Sequence, residues 1–275
     1  MNLGVSLSPA FLCGEAASTH QKNMLKDGLS SFLARLRGAG CTHIELRAVR
    51  RNTPPETVTG AVRAVQEAGF SLTAHGILTD EPAELFWARL LPVLSAENNL
   101  CVTVHSASSR EETLLLLRRM GEYALIHHPG ARLALENNRS KKGDNIALVE
   151  CAGVANTVKE ADLPSLGTCW DFGHFHWDHL THPALLPDPL PPEEFLKRTV
   201  HTHIHSVFSD TTHFPLTMGE LPLKSFILAL KKTGYSGVYN LEPEPERWDE
   251  SIDAAEEIIR SVGILRNTLQ QTEEE

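Results

Sequence analysis

Short runs of apolar or alternating residues recur along the chain with the length and period of β-strands. They fall at residues 3–7, 43–47, 71–75, 101–105, 132–136, 166–171, 200–205 and 237–242. Between them lie segments of helical period, among them 29–40, 56–69, 111–127 and 223–234, several closing on a glycine suited to a left-handed C-terminal position. Eight strand–helix units in 275 residues predict α/β structure as a single (β/α)8 TIM barrel over an open doubly wound sheet. No Gly-rich phosphate loop follows the first strand, which disfavours a nucleotide fold. One domain is expected over residues 1–275. The Pro-rich stretch 182–195 reads as a long loop over one face, and 137–145 as either a mobile active-site loop or a plain surface connection. The acidic end, 270–275, reads as a frayed tail.

Side chains alternate across a strand, so the helix-facing apolar residues identify the inward set. Leu72, Val102, Val104, Leu133, Leu135, Thr202, Ile204, Tyr239 and Leu241 point out toward helices. Glu45, Thr73, His75, Thr103, His105, Ala134, Glu136, Cys169, Asp171, His201, His203, His205, Asn240 and Glu242 then point into the barrel. Seven strands in succession thus carry an ionisable residue inward near the C-terminal end, the rim where barrel enzymes assemble their chemistry. A lone strand-end histidine is more often structural than a ligand. Glu136, Asp171 and Glu242 converging with His203 are different, because buried carboxylates repel unless a proton or a cation neutralises them. Three carboxylates and an imidazole suit one divalent ion, Mn²⁺, Mg²⁺, Co²⁺ or Zn²⁺.

Composition narrows the function classes. Fourteen histidines, several clustered at 174–182 and 201–205, point to imidazole chemistry. Five scattered cysteines, none in a C-x-x-C pair, suggest neither a disulfide scaffold nor a thiolate zinc site. A formal net charge of -10 argues against a nucleic-acid partner. No apolar run approaches the ~18 residues of a membrane span, so a cytoplasmic protein with no membrane partner is expected. Arg47, Arg50 and Arg51 either grip a substrate anion or form a solvated basic loop, while His127 and His128 suit the C-terminal end of a helix.

The segments LALEN around Glu136, CWDFGH with Asp171 and His174, HTHIH with His203, and the run from His213 through GYSG to Glu242 resemble the xylose isomerase-like barrel superfamily. That group includes sugar epimerases, sugar-phosphate isomerases and the endonuclease IV group. The resemblance implies that Glu136, Asp171, His203 and Glu242 bind one divalent ion, that Glu136 and Glu242 act as acid and base, and that His174 holds substrate. Reading His203 rather than His205 as the ligand follows from aligning H-I-H-S with the family's H-L-x-D. The endonuclease IV branch uses three zinc ions, and His75, His105, His174 and His213 fall on its further ligand positions, which leaves a second or third Zn open. Its D-x-H motif here reads Thr211, Thr212, His213, so a carboxylate is absent unless Asp210 substitutes.

The expected activity is a metal-dependent sugar, sugar-acid or sugar-phosphate isomerase or epimerase, in which the metal stabilises an enolate and the two glutamates exchange protons with carbon. Trp170, Phe172, Phe175 or Trp177 are expected to exclude water. The alternatives are a multi-zinc phosphoesterase and a non-catalytic metal-binding barrel. A carbohydrate is the expected partner, and relatives of this kind often form homo-oligomers.

Overall fold

A computed structural model describes residues 1–140, 146–184 and 186–273. Ten strands run in chain order: β1 (Leu3–Leu7), β2 (His43–Val49), β3 (Ser71–Gly76), β4 (Cys101–Val104), β5 (Arg132–Glu136), β6 (Leu166–Asp171), β7 (Thr199–Ile204), β8 (Ser206–Phe208), β9 (Thr211–Phe214) and β10 (Tyr239–Leu241). Eight of them close into a barrel in the order β1-β10-β7-β6-β5-β4-β3-β2, every pair parallel. β8 and β9 form a separate antiparallel hairpin above β7 that the sequence pattern does not announce. All eight expected barrel strands are present, with ends displaced by up to two residues. His105, His205 and Glu242 lie just beyond their strands rather than within them.

The helix-facing residues are buried as the alternation requires: Ile44, Leu46, Val102, Val104, Leu133 and Leu135 are fully inaccessible, packed with Leu36, Val58, Val65, Leu117 and Val154 from the surrounding helices. Helix Leu29–Ala39 stops at Gly40, whose φ of +106° gives the left-handed cap. Helix Arg110–His127 begins where the Glu112 N–H donates to Ser109 Oγ at 3.1 Å, and helix Ala254–Gln271 where the Glu256 N–H donates to Asp253 Oδ1 at 3.1 Å. Because a lost N-cap typically costs about 1 kcal/mol, Asp253→Ala should lower the thermal midpoint by a few degrees, measured by circular dichroism.

The Pro-rich stretch lies within the described residues except for residue 185. It leads from the helix after β6 to helix Glu193–Lys197, whose Phe195 is fully buried, and Leu190 and Leu196 share a cavity with Leu228 and Ala229 on the barrel flank. Of the polar connection after β5, residues 137–140 are fixed by hydrogen bonds, and 141–145 lie outside the described residues. The last two residues of the expected tail, 274 and 275, also lie outside them. Among the described residues no helix is long and apolar enough to cross a membrane, and all five cysteines are free.

The barrel interior is polar where most barrels are filled by branched apolar side chains. Gly4 on β1 leaves room for the Asn240 side chain, which a Cβ there would strike. Asn240 Nδ2 then reaches Ser6 Oγ at 2.7 Å and Glu45 Oε1 at 3.1 Å. This buried layer supports the residues at the rim.

Candidate metal centre

Glu136 at the end of β5, Asp171 at the end of β6, His203 on β7 and Glu242 just after β10 each place one ligand atom within 4.8 Å of the others, and all four are buried. Strand register accounts for the convergence: Asp171 pairs with His203, and His203 with Asn240, two residues before Glu242. His203 Nδ1 lies 2.9 Å from Glu136 Oε1 and 3.4 Å from Glu242 Oε2.

Two observations show that this donor set fits a cation. Glu136 Oε2 is buried with only His105 Nε2, at 3.0 Å, and His75 Nε2, at 3.7 Å, facing it, and His174 Nδ1 is buried without a hydrogen-bond partner, facing Asp171 Oδ2 at 3.3 Å and Glu136 Oε1 at 3.9 Å. Acceptors crowded together in this way are expensive unless positive charge lies between them. Burial alone would raise the Glu136 carboxyl, but His203 and His105 outweigh it and hold its pKa well below the usual range. Glu242 is likewise lowered against burial, by His203 and His75. Burial opposes charge on His203, yet the surrounding carboxylates raise its pKa well above 6.5.

Glu45, at the middle of β2, holds His203 from below. Its fully buried carboxylate accepts from Ser6 Oγ (2.7 Å), Asn240 Nδ2 (3.1 Å), His201 Nε2 (2.9 Å) and His203 Nε2 (3.2 Å). With Nε2 committed to Glu45, it is Nδ1 that faces Glu136 and Glu242. Carboxylate–imidazole pairs of this kind fix the ligand tautomer at metal sites. Glu45 showed its inward direction in the strand alternation, but not its position as the common acceptor of four groups.

His205 lies beside Asp171 and not among the four. Its Nδ1 accepts from the His213 N–H at 2.9 Å and its Nε2 donates to Asp171 Oδ2 at 3.1 Å, so both nitrogens are occupied. His174 is carried by helix Phe172–Thr181, whose N-cap is Asp171 itself: the His174 N–H donates to Asp171 Oδ1 at 2.7 Å. His213 sits at φ +67° on β9, held there by its N–H, by Nδ1 donating to the Glu242 carbonyl (3.1 Å), and by its own carbonyl accepting from Trp248 Nε1 (3.0 Å). Because a carbonyl only accepts, His213 Nε2 is left to accept from His174 Nε2, 3.2 Å away. His75 and His105 meet Nε2 to Nε2 at 2.9 Å, with Glu136 Oε2 3.0 Å from His105 and 3.7 Å from His75.

Several sequence expectations are corrected by this geometry. Trp170, Phe172 and Phe175 do not wall the mouth; they pack outward on Phe226 beneath the helices, Trp170 to Phe226 at 4.9 Å between ring centroids. Only Trp177 lies at the rim. Asp210 does not replace the missing carboxylate: it is exposed in the β8–β9 turn, where its carbonyl accepts from Trp177 Nε1 at 3.2 Å. Arg47 is not free to grip an anion: it donates to the Pro243 carbonyl at 3.0 Å and lies 3.6 Å from Glu244, while Arg50 and Arg51 are exposed. Asn137 went unnoticed in the sequence, although its buried amide exchanges two hydrogen bonds with the Asp171 backbone and fixes β5 against β6 at the site.

Comparison with known proteins places the chain. An uncharacterised protein of Methanocaldococcus jannaschii is 38% identical over 85 residues, 28% of this chain and 32% of that protein, so the chain spans about a third of its length. Among solved structures, D-psicose 3-epimerase from Clostridium cellulolyticum H10 superposes with a TM-score of 0.67 at 13% identity, over 98% of this chain and 99% of that one. The 3-keto-D-glucoside 4-epimerase of E. coli does so with a TM-score of 0.64 at 16% identity, over 97% and 99%. These likenesses show a shared fold. The family model for the xylose isomerase-like TIM barrel matches residues 33–266, and the chain belongs to that family.

Proposed function

We propose that this protein is a divalent-metal-dependent isomerase or epimerase acting on a small polyhydroxylated carbonyl compound, with Glu136, Asp171, His203 and Glu242 as metal ligands. The observation that carries the reading is the buried convergence of those four side chains within 4.8 Å, held from below by Glu45. A divalent ion there supplies Lewis acidity to the substrate carbonyl, stabilising the negative charge that develops on oxygen when a neighbouring carbon loses its proton. The sugar-epimerase fold neighbours support a carbohydrate substrate.

The proton steps fall to this chain's own residues. Glu136 ends β5 and Glu242 follows β10, strands separated by β6 and β7, so the two carboxylates reach a substrate carbon from different sides. Both pKa values are lowered, which keeps either carboxylate ionised, the form in which it can act as a base. The opposite face needs a proton donor, and His75 places Nδ1 3.2 Å from Glu242 Oε1, with its pKa raised by Glu242 and Glu136 against burial. His174 orients a substrate hydroxyl. The test is to supply Mn²⁺-loaded protein with a panel of ketoses and follow epimer formation by chromatography.

Metal uptake must displace the Nδ1 proton of His203. Since its pKa lies above 6.5 in the metal-free protein, binding should release protons at neutral pH, and Mn²⁺ affinity should rise as pH increases through the range above 6.5. Calorimetry in buffers of differing ionisation enthalpy measures that release; an enthalpy independent of buffer would refute the coupling.

A second reading, multi-zinc phosphoester hydrolysis, draws support from His75, His105 and Glu136, which also bring ligand atoms within 4.8 Å of one another. Elemental analysis separates the two: one ion per chain favours the isomerase, and two or three zinc ions the hydrolase.

A further inference from the structure

The barrel has a second mouth, at the N-terminal ends of its strands and so at the end away from the metal centre. A cavity of about 730 Å³ opens there. It is bounded by the first residues of β2, β4 and β5, which are His43, Cys101 and Arg132, and by Thr73 on β3, His201 on β7 and Tyr235 ahead of β10. Branched apolar side chains usually fill a barrel interior. At this end small and polar groups take their place and leave the space open.

Two atoms of the lining side chains lack a partner. Thr73 and His201 are 4% and 1% exposed, and neither Thr73 Oγ1 nor His201 Nδ1 meets a hydrogen-bond partner. Buried polar groups left in this way are costly. The His201 ring is not free to turn, because Nε2 donates to Glu45 Oε2 at 2.9 Å. Nδ1 is therefore the ring nitrogen left for the cavity. On the wall, the Tyr235 hydroxyl donates to the Val238 carbonyl at 2.7 Å, which fixes the phenol ring.

The lining carries little net charge. Burial pushes the Cys101 thiol up to about 12 and the His43 imidazole down to about 4, so neither is charged at neutral pH. Lys197, at the edge, is paired with Glu193 at 2.7 Å. Arg132 and Glu97 remain, one of each sign, and among the described residues no ion pair joins them. Glu97 Oε1 accepts from the Leu72 N–H at 2.7 Å. Opposite charges on one wall favour neither an anion nor a cation. Both serve hydroxyl groups, since a guanidinium donates and a carboxylate accepts. A hydroxyl donates and accepts, so it matches Thr73 Oγ1 and His201 Nδ1 alike.

We propose that this cavity is a second small-molecule site, which takes a neutral polyhydroxylated ligand, a sugar or polyol, through hydrogen bonds to Thr73, His201, Arg132 and Glu97. The site is separate from the metal centre and does not depend on the isomerase reading.

The test is calorimetry on the full-length, Mn²⁺-loaded protein with sorbitol and myo-inositol, and with glycine and inorganic phosphate as charged comparisons. Neither polyol has a carbonyl, so neither undergoes the proposed proton transfer. At least one should bind saturably, with a Kd of about 1 mM or tighter. Thr73→Val keeps the side-chain shape and removes a hydroxyl that has no partner, so this variant should be at least as stable as the wild type while binding the polyol about 3- to 10-fold more weakly. Arg132→Gln, at an exposed position, should weaken it by about 10-fold or more and leave Mn²⁺ affinity unchanged. Glu242→Gln, at the other end of the barrel, should bind the polyol as the wild type does. Absence of saturable binding would overturn the site and leave a cavity filled by water only. Polyol binding that is unchanged in Thr73→Val and Arg132→Gln but lost in Glu242→Gln would place it at the metal centre and overturn the second site. Phosphate or glycine binding more tightly than either polyol, and weakened by Arg132→Gln, would overturn the neutral ligand class.

Discussion

Replacing Glu242 with glutamine is expected to reduce exchange of carbon-bound substrate protons by about 10²- to 10⁴-fold, the usual contribution of a positioned acid or base. The amide keeps the shape of the carboxyl but accepts no proton, and it removes one negative charge from the four-residue cluster. Weakened metal binding accounts for part of such a loss, so the assay is run at saturating Mn²⁺, where only the proton-transfer deficit remains. Glu136→Gln should show a loss of similar size. If the two residues serve opposite faces, each variant should retain exchange from the epimer whose proton faces the surviving carboxylate better than from the other. Unchanged exchange in Glu242→Gln at saturating metal would refute its role as a base.

The second large effect is structural. Glu45→Ala should destabilise the protein by about 3–5 kcal/mol, the scale found when one member of a buried charged network is removed. Four donors, from Ser6, Asn240, His201 and His203, would lose their common acceptor inside the barrel, where no solvent replaces it. Equilibrium denaturation measures the change. Glu45→Gln separates fold from site: it keeps the volume and one acceptor oxygen, so stability should recover in part, while Mn²⁺ affinity stays about 10- to 100-fold below wild type through loss of the carboxylate–His203 pairing. Full recovery of metal affinity in the glutamine variant would show that Glu45 only fills space.

Much of this arrangement was legible in the chain because strand alternation is a strict rule. Once Leu133 and Leu135 are assigned to the helices, Glu136 must face the mouth, and the same step places Asp171, His203 and Glu242. That rule also placed Trp170 outward, between Cys169 and Asp171, so assigning it to the mouth ran against the alternation itself. What alternation does not carry is distance across the barrel. The contact between Glu45 and His203, 158 positions apart, depends on the closure of eight strands, and the Asn240 donor to the same carboxylate depends on the space left by Gly4. Alternation does not separate His203 from His205, because both point the same way; the family alignment favoured His203, and in the structure the β8–β9 hairpin brings the His213 N–H against His205 Nδ1.

The most direct test of the proposed chemistry is solvent exchange in deuterated water. Mn²⁺-loaded protein incubated with a ketose, neutral or bearing a terminal phosphate or carboxylate, should place deuterium on the carbon next to the carbonyl, seen by NMR as loss of that proton signal, and a chelator should stop it. Absence of label from every such substrate, by protein shown to hold one ion per chain, would contradict proton transfer by Glu136 and Glu242.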